Sequence, residues 1–207
     1  MDITIDTVLE RSRVVPVASI PDATYAVAIG EALMQGGVQI IEVTLRTRDA
    51  LAAIEALRRE LPDLLVGAGT VWTAHDWVLA EEAGAQFIVS PGSPPELVAS
   101  ARRRRLPYLP GAQTPTEVAS LVASGYTAAK FFPAGPAGGV SALKAMSAVF
   151  PGIRFCPTGG ISLDTAPQYL ALGAVPCVGG SWLLPREAVD GRDWSGIAEL
   201  ARGVREL

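Results

Sequence analysis

Short apolar runs rich in β-branched residues recur along the whole chain, and their spacing is the feature that most restricts its fold. Eight such runs begin about 20 to 26 residues apart. Most of them are continuous rather than alternating in polarity, which is typical of parallel strands covered on both faces. The runs are VVPV (14–17), IIEVT (40–44), LLVGAG (64–69), FIVS (87–90), PYLP (107–110), AAKFF (128–132), IRFCP (153–157) and AVPCVG (174–179).

Helical patterns with recognisable start signals separate these runs. Segment 50–60, ALAAIEALRRE, has helical spacing, and Thr114, Pro115 and Glu117 fit the N-cap, N1 and N3 positions of a capping box. Strand and helix alternating eight times predict an α/β fold, a (β/α)8 TIM barrel, formed by one domain over residues 1–207. We expect an extra N-terminal helix before the first strand. An open doubly wound sheet is the alternative architecture.

Composition restricts the partners and the chemistry. The net charge of −4 disfavours nucleic acid or an anionic membrane as a partner. No apolar run approaches the roughly 20 residues that span a bilayer, and the N-terminus lacks the apolar core of a signal peptide, so we expect a cytoplasmic protein. One histidine, His75, and two distant cysteines, Cys156 and Cys177, make a poor metal site, and we predict no metal.

Polar and small residues occur where the runs end, which is where barrels of this kind place their active sites. Glu42, Thr44 and Arg46 alternate along the second run and should share one face. Lys130 and Phe132 share a face of the sixth run in the same way. The remaining candidates at run ends are Thr70, Pro91, TGG (158–160) and GGS (179–181).

Lys130 and Glu42 both lie in apolar strands and are predicted to face one interior. One interpretation is a buried ion pair with a structural role. The other is a nucleophilic lysine, because desolvation favours the neutral amine, which can attack a carbonyl and form a Schiff base. Glu42 would then move protons, and the planar guanidinium of Arg46 would suit a carboxylate.

Glycine pairs follow the seventh and eighth runs, at the usual phosphate position of this architecture. Glycines allow backbone N–H groups to approach an anion closely. Tight turns between strand and helix are the alternative explanation of Gly159-Gly160 and Gly179-Gly180.

Six motifs in order, IEVTLRT, VGAGTV, FIVSPG, AAKFFPA, FCPTGGIS and CVGGSWL, resemble those of the 2-keto-3-deoxy-6-phosphogluconate (KDPG) aldolase and 4-hydroxy-2-oxoglutarate (KHG) aldolase family. The resemblance covers essentially the whole chain. It implies a class I aldolase of the Entner–Doudoroff route, a homotrimer, that cleaves KDPG to pyruvate and glyceraldehyde 3-phosphate without a cofactor. Cleavage of 4-hydroxy-2-oxoglutarate to pyruvate and glyoxylate is a further expectation. An aldolase for the galactonate epimer, or another phosphate-sugar enzyme such as an epimerase, is the alternative.

The resemblance also implies roles for individual residues. Lys130 matches the Schiff-base lysine and Glu42 the general acid/base. Arg46 and Thr70 match positions that hold the substrate carboxylate, Pro91 and Phe132 match pocket walls, and Thr158 matches a residue near the substrate hydroxyls, where relatives specific for the galactonate epimer tend to have valine. Gly159, Gly160, Gly180 and Ser181 match the phosphate-binding loops. Some relatives have an arginine where this chain has Ser19.

Overall fold

The computed structural model describes residues 3–207, so the first two residues of the predicted 1–207 domain lie outside the described part. The chain has an α/β fold in which short parallel strands alternate with helices. The strands are β1 (Val14–Ala18), β2 (Ile40–Thr44), β3 (Leu65–Gly69), β4 (Phe87–Val89), β5 (Tyr108–Leu109), β6 (Gly111–Ala112), β7 (Ala128–Phe131), β8 (Arg154–Pro157) and β9 (Val178–Gly180).

The helices follow the predicted rhythm. They are α1 (Ile5–Glu10), α2 (Ala26–Gln35), α3 (Ala50–Glu60), α4 (Ala74–Glu82), α5 (Pro95–Ala101), α6 (Pro115–Ala123), α7 (Gly139–Val149), α8 (Ala166–Leu170), α9 (Arg186–Asp190) and α10 (Trp194–Arg202), with 3-10 turns at Ala23–Tyr25 and Gly203–Glu206. Within residues 3–207, no helix combines the length and apolar character needed to cross a membrane.

Local sequence explains where several helices begin. Thr114 accepts a hydrogen bond from the Glu117 backbone N–H, and the Glu117 carboxylate accepts one from the Thr114 N–H, which is the predicted capping box. In α3, buried Ala50, Ala53 and Leu57 lie on one helical face. A reciprocal cap therefore sets the start of α6, and an apolar face packs α3 against the core.

The parallel strands form two sheets, ordered β5-β4-β3-β2-β1-β9 and β6-β7-β8. A single parallel bridge between Thr158 and Gly179 connects the end of β8 to β9. Strands β5 and β6 are separated by Pro110 alone, which lacks a backbone N–H and whose carbonyl accepts a hydrogen bond from Lys130 N–H at 2.8 Å. The fifth apolar run (107–110) therefore contributes one short strand, β5, and the further short strand β6 lies just beyond it.

A contiguous cluster of buried apolar side chains fills the space within the sheets and beneath the helices. Trp77, Phe87, Phe131 and Phe155 are the largest of its fully buried members. The few buried polar or charged side chains in the described residues stand out against this background: Glu42, Thr44, Ser90, Lys130 and Thr158. Because an unpaired polar group in such a core is unfavourable, each of them requires a partner.

Candidate active site

Lys130 and Glu42 form a buried ion pair. Lys130 Nζ donates to Glu42 Oε1 at 3.0 Å, and the two side chains are only 6% and 4% exposed. Lys130 is the third residue of β7 and Glu42 the third residue of β2. The two residues are 88 positions apart in the sequence. The prediction that their side chains face one interior is confirmed by this contact.

Two further groups shape the surroundings of the ammonium group. The ring of Phe132 lies beneath it, with Lys130 Nζ 5.4 Å from the ring centroid, so an aromatic face covers one side of the charge. Gly111 and Cys156 are the register partners of Lys130 on the neighbouring strands. Pro91 reaches the same neighbourhood through its backbone, which occupies the space where Gly111 would carry a Cβ.

Gly69 makes room for the Glu42 carboxylate. A Cβ atom at this position would lie 2.1 Å from Glu42 Oε1, well inside van der Waals contact. Gly69 pairs with Thr44 at the end of β3 and is itself buried. The sequence analysis missed it as a site residue, although a glycine inside a strand is a known signal of close approach by another group.

Thr44 and Ser19 form a hydrogen-bonded chain beyond Glu42. Thr44 Oγ1 donates to the Ala18 carbonyl at 2.9 Å and lies 2.9 Å from Ser19 Oγ. A threonine hydroxyl has one hydrogen, so Ser19 must be the donor in the second contact. The hydroxyl of Ser19 is therefore already used inside the protein.

Arg46 and Thr70 meet at the rim. Arg46 lies beyond the end of β2 and is exposed, and its Nε donates to Thr70 Oγ1 at 3.2 Å. Thr70 has φ +59°, a left-handed conformation that is unusual for a β-branched residue. The terminal nitrogens of the Arg46 guanidinium remain available as a fork for an acceptor such as a carboxylate.

The residues after β8 and β9 lie close to one another. Thr158 is buried, and a Cβ on Gly179 would lie 2.2 Å from its Oγ1. Gly159 and Gly160 both have positive φ, and Gly159 lies against the Phe132 ring. Glycine adopts positive φ more readily than any other residue, so the backbone conformation alone accounts for glycine at both positions. The tight-turn explanation therefore holds whether or not a ligand binds.

The last predicted positions follow β9. Gly180 lies against the Trp182 ring, and a Cβ added at this glycine would lie 2.1 Å from the nearest ring carbon. Ser181, in contrast, is exposed. Ser181 lines a cavity of about 340 Å³ between the ends of β1 and β9. A larger cavity of about 640 Å³ lies between α5 and α6, and neither Lys130 nor Glu42 lines it.

Both cysteines, Cys156 and Cys177, are free and buried. A hydrogen bond from the Cys177 thiol lowers the pKa of Cys156, and the positive charge of nearby Lys130 acts in the same direction. The same hydrogen bond, together with burial, raises the pKa of Cys177. Across the described part of the chain, no cluster of three or more His, Cys, Asp or Glu side chains could hold a metal ion.

A parallel α/β fold with an amine and a carboxylate paired in its buried interior has the groups that enzymes acting on carbonyl compounds through a lysine require. The family model "KDPG and KHG aldolase" matches residues 5–200. The chain belongs to the KDPG and KHG aldolase family.

Individual relatives are similar over nearly the full length. The 2-dehydro-3-deoxy-phosphogluconate aldolase of Pseudoalteromonas atlantica is 45% identical, over 94% of this chain and 91% of its own. The KHG/KDPG aldolase of Escherichia coli K12 is 44% identical, over 97% and 94%. A crystal structure of the Legionella pneumophila KDPG aldolase, with pyruvate captured as a covalent carbinolamine, has a TM-score of 0.96 at 43% identity and covers 99% of both chains.

Proposed function

We propose that this chain is a class I aldolase that cleaves KDPG to pyruvate and glyceraldehyde 3-phosphate, and that it also cleaves 4-hydroxy-2-oxoglutarate to pyruvate and glyoxylate. The observation that carries the proposal is the Lys130–Glu42 pair, with donor and acceptor 3.0 Å apart in an apolar interior. A purely structural pair would explain the contact. It would not explain why the exposed Arg46 is held by Thr70 at the ends of the neighbouring strands β2 and β3.

The first half of the reaction attaches the keto acid. The Lys130 ammonium gives a proton to Glu42, and the neutral Nζ attacks the C2 carbonyl, forming a C–N bond. Glu42 returns a proton to the carbonyl oxygen, takes one from nitrogen, and protonates the hydroxyl that leaves as water. The product is an iminium ion on Lys130. The 3.0 Å contact places the Glu42 carboxylate within reach of the Lys130 nitrogen, where these transfers begin.

The second half breaks the carbon–carbon bond. Glu42 removes the proton of the C4 hydroxyl, the C3–C4 bond breaks, and its electron pair moves into the iminium to give an enamine. Glyceraldehyde 3-phosphate is released as the aldehyde. Glu42 then returns the proton to C3, and water hydrolyses the iminium to pyruvate and free Lys130. No metal or other cofactor takes part in this sequence.

Substrate binding is assigned to the residues around the pair. Arg46, held by Thr70, binds the carboxylate of the keto acid, while Pro91 and Phe132 form walls of the pocket. Thr158 lies near the substrate hydroxyls, and its threonine identity favours the gluconate over the galactonate epimer. Gly159, Gly160, Gly180 and Ser181 bind the phosphate. The positive φ values of Gly159 and Gly160 support this, because such turns can present backbone N–H groups to an anion.

The finer architecture is part of the same proposal. The Thr158–Gly179 bridge and the single residue between β5 and β6 support closure of the two sheets into one (β/α)8 barrel, with α1 as an extra N-terminal helix. One domain over 1–207 predicts a single cooperative unfolding transition. The homotrimer implied by the family resemblance stays a prediction, which sedimentation velocity would test.

Borohydride trapping tests the chemistry directly. Incubation with pyruvate and borohydride, followed by peptide mass analysis, should add a reduced pyruvate to Lys130. The chain contains one other lysine, Lys144, which is exposed on α7 and provides an internal control. Lys130→Arg should abolish trapping while keeping a positive charge beside Glu42, and Lys144→Arg should retain it.

Failure to label Lys130 in a folded protein would reject the proposal. An epimerase on the same fold would need no amine and would show no trapping. Rates measured with KDPG and with its galactonate epimer, in a coupled pyruvate assay, then decide between the two aldolases. Faster cleavage of the galactonate epimer would overturn the assignment of KDPG as substrate.

A further inference from the structure

The cavity of about 340 Å³ between the ends of β1 and β9 contains an arginine to which no role has yet been assigned. Its walls include Val17, Ser19, Ser181, Arg186 and Asp190. Arg186 and Asp190 are the first and last residues of α9, the helix that follows the Ser181 loop. The cavity therefore adjoins the proposed phosphate loop and also carries a positive charge.

Strand register places this cavity on the same face of the sheet as the Lys130–Glu42 pair. Val17 is the register partner of Glu42, so their side chains point to the same side, and Ser19 follows on that side two residues later. Two strand residues advance by about 6.6 Å. Gly180 is the register partner of Pro16, so Ser181, the next residue, lies beside Val17. The cavity thus continues the site in the direction in which β1 and β9 end.

A phosphate in this cavity needs a donor that the serine at the end of β1 cannot supply. The hydroxyl hydrogen of Ser19 is donated to Thr44, because Thr44 uses its own on the Ala18 carbonyl. Arg13, which precedes β1, donates to the Leu207 carbonyl instead. Arg186 is the cationic side chain among the residues that line the cavity.

We propose that Arg186 is the cation that recognises the phosphate of the substrate, and that Asp190 holds it when no phosphate is present. This inference rests on the proposed aldolase function. Arg186 Nε lies 3.3 Å from Asp190 Oδ2, and the two side chains are 89% and 55% exposed. Exposed pairs of this kind contribute little to stability, so exchange of the carboxylate for a phosphate dianion meets little resistance. A phosphate also accepts both arms of the guanidinium fork.

The proposal makes Arg186 a determinant of specificity rather than of rate. KDPG and unphosphorylated 2-keto-3-deoxygluconate differ only in the phosphate, so the ratio of their kcat/KM values isolates its contribution. Arg186→Ala should lower this preference roughly two- to fivefold, through KM for KDPG with kcat little changed. Arg186→Lys should restore part of it, and Asp190→Asn should lower KM for KDPG.

Arg202→Ala is the matched control. Arg202 is also an exposed helical arginine paired with a nearby carboxylate, Glu199, but it lies on α10 and does not line the cavity. If Arg202→Ala lowers the preference as much as Arg186→Ala, the effect is one of net charge and the proposal is wrong. An unchanged preference in Arg186→Ala would also overturn it.

Calorimetric binding of 3-phosphoglycerate separates this inference from the proposed function, because that compound has no ketone and cannot form a Schiff base. The wild type should bind it more tightly than glycerate, and Arg186→Ala should lose two- to fivefold of that affinity. Equal binding of the two compounds, or no detectable binding of 3-phosphoglycerate, would overturn the role of Arg186. Arg186-dependent binding in a protein that fails to cleave KDPG would leave the phosphate site standing and reject the aldolase assignment.

Discussion

The two ion pairs beside the proposed substrate path differ in almost every physical respect. Lys130 and Glu42 are 3.0 Å apart and nearly inaccessible, whereas Arg186 and Asp190 are 3.3 Å apart and largely exposed. Water screens the second pair and leaves its members free to exchange partners. The first pair has no such alternative, because both side chains are buried and, within residues 3–207, each is the ion-pair partner of the other. Burial therefore suits a pair that transfers protons, and exposure suits one that exchanges ligands.

The largest effect is expected when the buried pair loses its amine. Lys130→Met should abolish turnover and leave the Glu42 carboxylate buried without a partner, which typically lowers the free energy of unfolding by about 3–5 kcal/mol. Urea denaturation and the pyruvate assay would measure both effects. The double variant Lys130→Met/Glu42→Gln should regain stability and no activity. A single variant as stable as wild type would show that the pair is better solvated than its burial indicates.

Loss of the carboxylate charge alone should affect rate more than fold. Glu42→Gln keeps the size and can still accept a hydrogen bond, but it cannot shuttle protons, so kcat should fall roughly 10²-fold or more. Steady-state kinetics, with circular dichroism as a check on folding, would measure this. Near-normal turnover would reject the general acid/base role of Glu42.

Crowding the carboxylate without changing its charge should have a smaller effect. In Gly69→Ala the added Cβ would overlap Glu42 Oε1, which must then move away from Lys130. We expect kcat to fall roughly 10- to 100-fold, as for other small misplacements of a reacting group. Gly67→Ala, in the same strand, meets the Phe87 ring instead and serves as the control for strain alone. Equal losses of kcat in both variants would mean that strain, not carboxylate position, is responsible.

Arg46→Ala tests the exposed rim and should alter affinity rather than rate. Loss of the guanidinium removes a charge-assisted contact to the substrate carboxylate, so KM should rise roughly tenfold for phosphorylated and unphosphorylated keto acids alike. Initial rates with KDPG and 2-keto-3-deoxygluconate would show it. A rise confined to KDPG would move Arg46 to the phosphate end of the substrate.

The exposed pair should matter least for stability. Arg186→Ala should change the free energy of unfolding by less than about 1 kcal/mol, because solvent already screens both groups. Urea denaturation of Arg186→Ala and Lys130→Met under the same conditions would compare their free energies of unfolding. A loss as large as that of the buried pair would show that exposure is not what distinguishes them.

Much of the fold and the centre of the site could be predicted from the sequence. Runs such as IIEVT are buried on both faces, so their continuous apolar character identifies strands. Alternation along β2 and β7 then places Glu42 and Lys130 on faces that can meet. The capping box at Thr114 follows a local rule and could be predicted as well.

Features that depend on three-dimensional space could not be read in this way. Pro110, the last residue of the fifth run, separates β5 from the additional short strand β6, which the spacing of the apolar runs does not predict. Gly69 matters for the volume that it leaves to Glu42, and Arg186 for the cavity that α9 borders. Neither position carries a sequence pattern that specifies its neighbour.

Thr70, at the rim of the site, has a backbone conformation that lowers the stability of the fold. A β-branched residue at φ +59° has higher conformational energy than a glycine would, by about 1–3 kcal/mol. Its hydroxyl is the acceptor that orients Arg46, so relief of the strain by glycine would also remove that acceptor. Selection for thermal stability alone would thus favour glycine at this position, whereas selection for substrate affinity would retain the threonine. Thr70 is a position where stability and function oppose each other, and engineered thermostable variants of this chain should leave it unchanged.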